Sequence, residues 1–130
     1  MAKYLSQEWL DLYLELAQEF PERPGASAVM QYVITGTPDG DVRYVQKIEG
    51  GKMTGSQLGD DADADFTLSM GYDDAKKILK GELDANAAFM QGKLKVTGNL
   101  GKLMALMPLT QSPEYKAIQA TLAEQTEFAA

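Results

Sequence analysis

Apolar side chains recur at three- and four-residue spacing between Ser6 and Phe20: Trp9, Leu12, Tyr13, Leu16, Ala17 and Phe20. That period predicts an amphipathic helix. Ser6 is placed to cap it, and Glu8 sits near the positive end of its dipole. Pro21 and Pro24-Gly25 stop it. Leu10 and Leu14 widen the apolar face, so the helix should be well covered. The period then falls to two. Met30, Tyr32 and Ile34 alternate with Gln31, Val33 and Thr35. After the turn signal Thr37-Pro-Asp-Gly40, Val42, Tyr44, Gln46 and Ile48 alternate with Arg43, Val45, Lys47 and Glu49. Two such runs around a Pro-Asp-Gly turn predict a β-hairpin. Gly50-Gly51 makes a second turn before a third strand over 52–58. Phe66, Leu68 and Met70 alternate with Asp65, Thr67 and Ser69 in a fourth.

Helical spacing returns over 72–80, with Gly81 as a stop. Asp84 can cap a short helix that runs to Gln91 and ends at Gly92. Leu94 and Val96 then alternate with Lys93, Lys95 and Thr97, which predicts another strand. Leu100 to Met107 reads as a short apolar helix halted by Pro108. Ser112-Pro113-Glu114 starts a last helix, with Pro at the first position, that could reach Phe128. The order is helix, four strands, two helices, one strand, helices. This predicts an α+β fold with a mainly antiparallel sheet, apolar on one face, and helices gathered on that face. No internal repeat or interdomain linker interrupts it, so one domain is expected over 1–130.

Composition narrows the chemistry. There is no Cys and no His. Disulfides, thiolate sites and cysteine nucleophiles are excluded, as are histidine-based triads and most zinc sites. An enzyme would have to rely on Asp, Glu, Lys, Tyr or Ser. The formal net charge of −7 and the lack of a Lys/Arg cluster argue against nucleic-acid binding. The same charge disfavours firm docking on anionic membranes, leaving at most transient contact through an apolar patch. No apolar run reaches the ~20 residues of a spanning helix. The first residues lack a secretory h-region, and Glu127-Phe-Ala-Ala130 is not a Ser-Lys-Leu address, so a cytoplasmic location is expected.

Two local motifs invite a stronger reading. Asp61, Asp63 and Asp65 match the first ligand positions of a calcium loop, but Phe66 stands where the sharp turn needs Gly, and Tyr72 where the bidentate Glu belongs. A solvated acidic turn is the better reading. Gly98-Asn-Leu-Gly101-Lys102 resembles half a phosphate loop, yet Val96 stands near the required first glycine and Leu103 follows the lysine. Gly98 and Gly101 are better read as punctuation between strand and helix. Leu100, Leu103, Met104 and Met107 leave a helix apolar nearly all round, which must be covered by protein, ligand or partner. Met90, Met104 and Met107 are either ordinary core or an adaptable binding surface.

The run Ala88-Phe-Met-Gln-Gly-Lys-Leu-Lys-Val-Thr-Gly-Asn-Leu-Gly-Lys-Leu-Met-Ala-Leu-Met107 resembles the signature segment of the sterol carrier protein type 2 (SCP-2) family. That signature is an Ala-Phe-x-x-Gly-Lys-Leu-Lys-apolar-x-Gly-Asp/Asn run followed by an apolar helix. The resemblance is strong over 65–107 and looser over 9–58. It implies a five-stranded sheet covered by helices, with an apolar tunnel between them, that binds or transfers fatty acids, fatty acyl-CoA, sterols or phospholipids. Phe89 and Met90 would then flank the tunnel. Leu94 and Val96 would lie on a central strand. Leu100, Leu103, Met104 and Met107 would form a wall or gate. Met30, Tyr32, Ile34, Phe66, Leu68 and Met70 complete the expected ligand-binding set. No catalytic residue, metal or cofactor is implied. Lys102 departs from the family's apolar residue; it either snorkels to solvent or faces a ligand carboxylate or phosphate. The tail over 110–130 is longer and more polar than the family pattern, and could close the tunnel or make a dimer contact. The expected partner is a lipid. A scaffold role beside an enzyme is the alternative.

Overall fold

The computed structural model describes residues 2–128. A two-residue strand, β1 (Ala2–Lys3), leads into α1 (Gln7–Leu16), and a 3-10 turn continues that helix over Ala17–Glu19. Then come β2 (Ala28–Thr37), β3 (Gly40–Glu49), β4 (Lys52–Leu58) and β5 (Phe66–Gly71). Helices α2 (Tyr72–Leu79) and α3 (Ala85–Met90) precede β6 (Leu94–Gly98). Helices α4 (Leu100–Thr110) and α5 (Pro113–Glu124) follow, and β7 (Thr126–Glu127) ends the described chain. The last two residues of the expected domain and of the C-terminal tetrapeptide lie outside the described residues, as does Met1.

Local chemistry sets the helix starts. Ser6, Asp84, Asn99 and Ser112 each accept a hydrogen bond from a backbone N–H of the first turn they precede, at 3.1 Å. Such caps satisfy donors that have no partner inside the helix. Pro113 occupies the first position of α5, where its missing N–H costs nothing.

The main sheet has strand order β4-β3-β2-β5-β6. Three pairings are antiparallel, as the alternation suggested, but β2 and β5 run parallel. The physical reason is the connection over 59–65. It carries the chain across the sheet and returns it beside β2 in the same direction. Registers stack the apolar positions in rows: Met30, Phe66 and Gly98; Tyr32, Leu68 and Val96; Ile34, Met70 and Leu94. On the far side of β2, Tyr44 lies opposite Tyr32 and Gln46 opposite Met30.

Helices cover this face. Trp9 meets Tyr44 edge-on at 5.9 Å, α4 packs on β2 and β5, and α3 packs on β6. The opposite face is not wholly wet. Gln31 and Val45 are buried there beneath the acidic loop. Gln31 Nε2 donates to the carbonyls of Tyr44 (3.2 Å) and Gly59 (3.1 Å), and its Oε1 accepts from Asp61 N at 2.9 Å. Asp65 Oδ2 accepts from Val29 N at 2.7 Å, Arg43 pairs with Asp60 at 2.5 Å and Lys47 with Asp61 at 3.8 Å. These aspartates fasten a loop to a sheet, and among the described residues no group of three could hold a metal ion.

Three element boundaries depart from the sequence reading. The first helix leaves α geometry after Leu16, although Ala17 and Phe20 remain buried. Pro108 lies inside α4 rather than ending it. The hydrogen bond it forfeits is to the carbonyl of Met104, an exposed residue, so water can replace the donor. The last helix stops at Glu124 instead of reaching Phe128, because the chain leaves it to pair with β1 in parallel. Ala2 N donates to Gln125 O and Tyr4 N to Glu127 O, both at 3.0 Å.

Candidate functional site

Three helices converge over the sheet where β2, β3 and β4 present Met30, Tyr32, Gln46, Ile48 and Met53. The residues that meet them are Tyr13 of α1, Leu106, Leu109 and Thr110 of α4, and Tyr115 of α5. Together they enclose a cavity of about 20 Å³. That is room for about one water molecule. This small chamber lies between sheet and helices, where the resemblance places an apolar tunnel.

The chamber is largely apolar, and its polar side chains are bonded to one another or to neighbours. Tyr13 and Tyr115 hydroxyls lie 3.2 Å apart, and Gln119 Nε2 donates to the Tyr13 hydroxyl. The Tyr32 hydroxyl donates to the Met30 sulfur at 3.7 Å. Gln46 Nε2 reaches Ser56 Oγ at 3.5 Å. Tyr32 and Tyr44 stack with centroids 4.5 Å apart. Burial holds the phenols of Tyr13, Tyr32 and Tyr44 well above the usual tyrosine range. Burial also raises Tyr115, opposed by its hydrogen bonds to Tyr13 and Gln119. All four stay neutral at physiological pH, and no Asp, Glu, Lys or Arg lines the wall. Such a chamber can hold an apolar chain and hydrogen-bond a neutral group. It offers no charged acid, base or nucleophile.

A larger cleft of about 80 Å³ opens between the N-terminal segment and the β2–β3 turn, among Tyr4, Leu5, Thr37, Pro38 and Tyr72. The exposed Lys3–Asp39 ion pair, 2.7 Å long, lies on its wall. Its mixed lining does not suit a long apolar ligand.

The expected ligand-binding residues fall into three groups. Met30 and Tyr32 line the chamber. Ile34, Phe66, Leu68, Met70, Leu94 and Val96 share the same sheet face but pack in the core beside it. Leu94 and Val96 stand on β6, which is an edge strand and not the expected central one, because the parallel pairing of β5 with β2 leaves β6 outermost. On α4, Leu103 and Met107 are partly buried, whereas Leu100 and Met104 face outward, as do Phe89 and Met90 on α3. Lys102 is exposed, with its amide capped by Asn99.

Sequence reasoning missed Leu109 because Pro108 read as a stop, and so missed that Leu106 and Leu109 form the inward i, i+3 pair of α4. Gln46 and Ile48 were legible as alternates of Tyr44. Tyr115 carried no signal of its own. It belongs to the long polar tail, whose helix contributes it to the chamber wall.

The profile of the SCP-2 sterol transfer family matches residues 21–111. Sterol carrier protein 2 of Rattus norvegicus is 33% identical over 102 residues, a match covering 77% of this chain and 18% of the rat protein. The chain therefore spans only a small part of the length of that relative. Among solved structures, a possible sterol carrier protein from Thermus thermophilus superposes with a TM-score of 0.72 at 20% identity, covering 95% of this chain and 92% of the other. Palmitated SCP2L2 from Aedes aegypti gives 0.60 at 21% identity, covering 79% and 95%. Those two likenesses establish a common fold. With the family match running from the end of the first helix through α4, the chain belongs to the SCP-2 sterol transfer family.

Proposed function

We propose that this chain is one non-catalytic, cytoplasmic lipid-binding domain that carries a long-chain lipid in the chamber between its sheet and helices α1, α4 and α5. The observation that carries this reading is the chamber's wall, largely apolar and uncharged, with a neutral phenol pair in it. A fatty acid or fatty acyl chain suits it best. The palmitated insect relative supports that choice. Burial of a methylene contributes about 0.8 kcal/mol, so a palmitoyl-length chain offers on the order of 12 kcal/mol gross. Ordering the chain offsets several kcal/mol of that. Useful affinity then needs few polar contacts. Uptake requires the chamber to widen, since it has room for about one water.

The test is mass spectrometry of organic extracts together with displacement of a fluorescent fatty acid by fatty acids, acyl-CoA, sterols and phospholipids. Saturable displacement is expected. Thr110→Phe, which fills the chamber, should weaken it at least tenfold. No co-purified lipid and no displacement by any class would overturn the reading.

A further inference from the structure

Charge is unevenly spread along this chain. Of its 12 Lys and Arg and 19 Asp and Glu, the stretch between Asp84 and Glu114 holds three lysines and no acid. Large exposed apolar side chains are unevenly spread too. Phe89 is 50% exposed, Met90 85%, Leu100 51% and Met104 67%, and all four fall in that same stretch; Leu58 is the other large one among the described residues. Lys93, Lys95 and Lys102 are exposed, and none forms an ion pair among the described residues.

The elements involved lie at one margin of the sheet. Strand β6 is an edge strand, α3 packs on it, and α4 follows directly from it. Lys93 and Lys95 alternate with Leu94 and Val96 and so leave the edge strand on the face away from α4, while Lys102 stands on α4 itself. Apolar side chains and lysines gathered at one margin are the chemistry of elements that rest in a membrane interface, where stems bury in the acyl boundary and ammonium groups meet headgroups. Lysines on an edge strand also block pairing with another strand. That disfavours a second copy adding to β6, and it does not explain Lys102, which stands on α4.

We propose that this margin, α3 with β6 and the first turns of α4, is a docking surface for an anionic lipid bilayer. The net charge of −7 argues against such docking only as an average. At physiological ionic strength charges are screened beyond ~8 Å, so a docked margin responds to its own lysines more than to distant acids. The inner side of α4, Leu106 and Leu109, walls the interior chamber, so docking sets that wall against the bilayer. The surface does not depend on what the chamber holds.

Co-sedimentation with phosphatidylglycerol-containing phosphatidylcholine vesicles, beside phosphatidylcholine alone, tests it. The full chain should bind the anionic vesicles preferentially, and added salt should release it. Each lysine near an anionic surface contributes roughly fivefold, so Lys93→Gln, Lys95→Gln and Lys102→Gln together should weaken binding about a hundredfold. Met90→Asp with Met104→Asp should weaken it at least tenfold, with an unchanged circular dichroism spectrum because both positions are exposed. Leu58→Asp should have no effect on docking. The proposal is overturned if wild type shows no preference for anionic vesicles, or if the lysine variant binds undiminished. It is also overturned if these substitutions instead abolish a dimer detected by sedimentation velocity without vesicles. Wild-type fatty-acid uptake is read in parallel. Uptake without docking overturns this surface and leaves the carrier reading standing.

Discussion

Gly98 and Gly101 stand three residues apart in the signature segment, and replacing each with alanine should have opposite consequences. At Gly98 the backbone has φ +107°, and an added Cβ would lie 2.7 Å from Asp65 O and 2.8 Å from Phe66 Cα. Both obstacles are backbone atoms, one in the first residue of the paired strand and one in the residue before it, since Gly98 sits opposite Phe66. The positive φ alone costs about 1–2 kcal/mol for a residue with a Cβ. Relieving the overlap requires β5 and β6 to part by several tenths of an ångström. That weakens the end of the ladder, including the 2.8 Å bond from Asn99 N to Asp65 O. Losing one such bond adds about 1 kcal/mol. Gly98→Ala should therefore cost about 3 kcal/mol. At Gly101 the nearest obstacle is Asn99 Oδ1 at 3.2 Å, and the residue is already helical. Helix propensity favours alanine there by about 1 kcal/mol, less what the shifted cap loses, so Gly101→Ala should be near neutral or mildly stabilising. Equilibrium urea unfolding measures both. With m about 2 kcal/mol per molar, Gly98→Ala should lower the midpoint by about 1.5 M. A loss below about 1 kcal/mol at Gly98, or equal losses at the two sites, would refute the reasoning.

Two further predictions follow from groups outside that segment. Burial raises the phenol pKa values of Tyr4, Tyr13, Tyr32, Tyr44 and Tyr115 above their ordinary value of 10.0. Above about pH 10 the unfolded chain therefore binds fewer protons than the folded one, and stability present below that pH is lost as pH rises. Urea midpoints should fall past pH 10, with tyrosinate absorbance rising together with loss of circular dichroism; full ionisation of these phenols in an intact fold would contradict it. Asp65→Ala removes the acceptor of the Val29 amide and should cost about 1.5–3 kcal/mol, while calcium leaves the midpoint of the native chain unchanged. A calcium-dependent rise in thermal midpoint would show that the acidic loop is more than a fastening.

Alternation and helical spacing revealed the main strands and all five helices, because each period records which side faces the core. What they could not reveal is relative placement. Nothing in Phe66, Leu68 or Met70 says that their partner strand is β2 or that it runs parallel; the loop over 59–65 decides that in three dimensions. Gln31 read as a wet residue because its place beneath that loop depends on contacts 30 residues away. Chamber residues were partly hidden for the same reason. Tyr13 was legible as an apolar-face residue, but its hydroxyl partner Tyr115 is 102 residues further on. Leu100 and Met104 looked like an inner wall because the whole helix is apolar. Its rotation over β2 and β5 put Leu106 and Leu109 inside and left those two facing out. A two-residue strand such as β1 has no period to detect.

The β1–β7 pairing also orders events in time. Trp9, the chain's one tryptophan, donates from Nε1 to Thr126 Oγ1 at 3.0 Å, across 117 residues of sequence. Closing a loop of that length in an otherwise unfolded chain costs about 4 kcal/mol of entropy, far more than one hydrogen bond returns. The closure must wait until sheet formation and the docking of α5 have shortened the path. Refolding should therefore show the tryptophan environment maturing after the backbone signal, with the two ends of the described chain joining last.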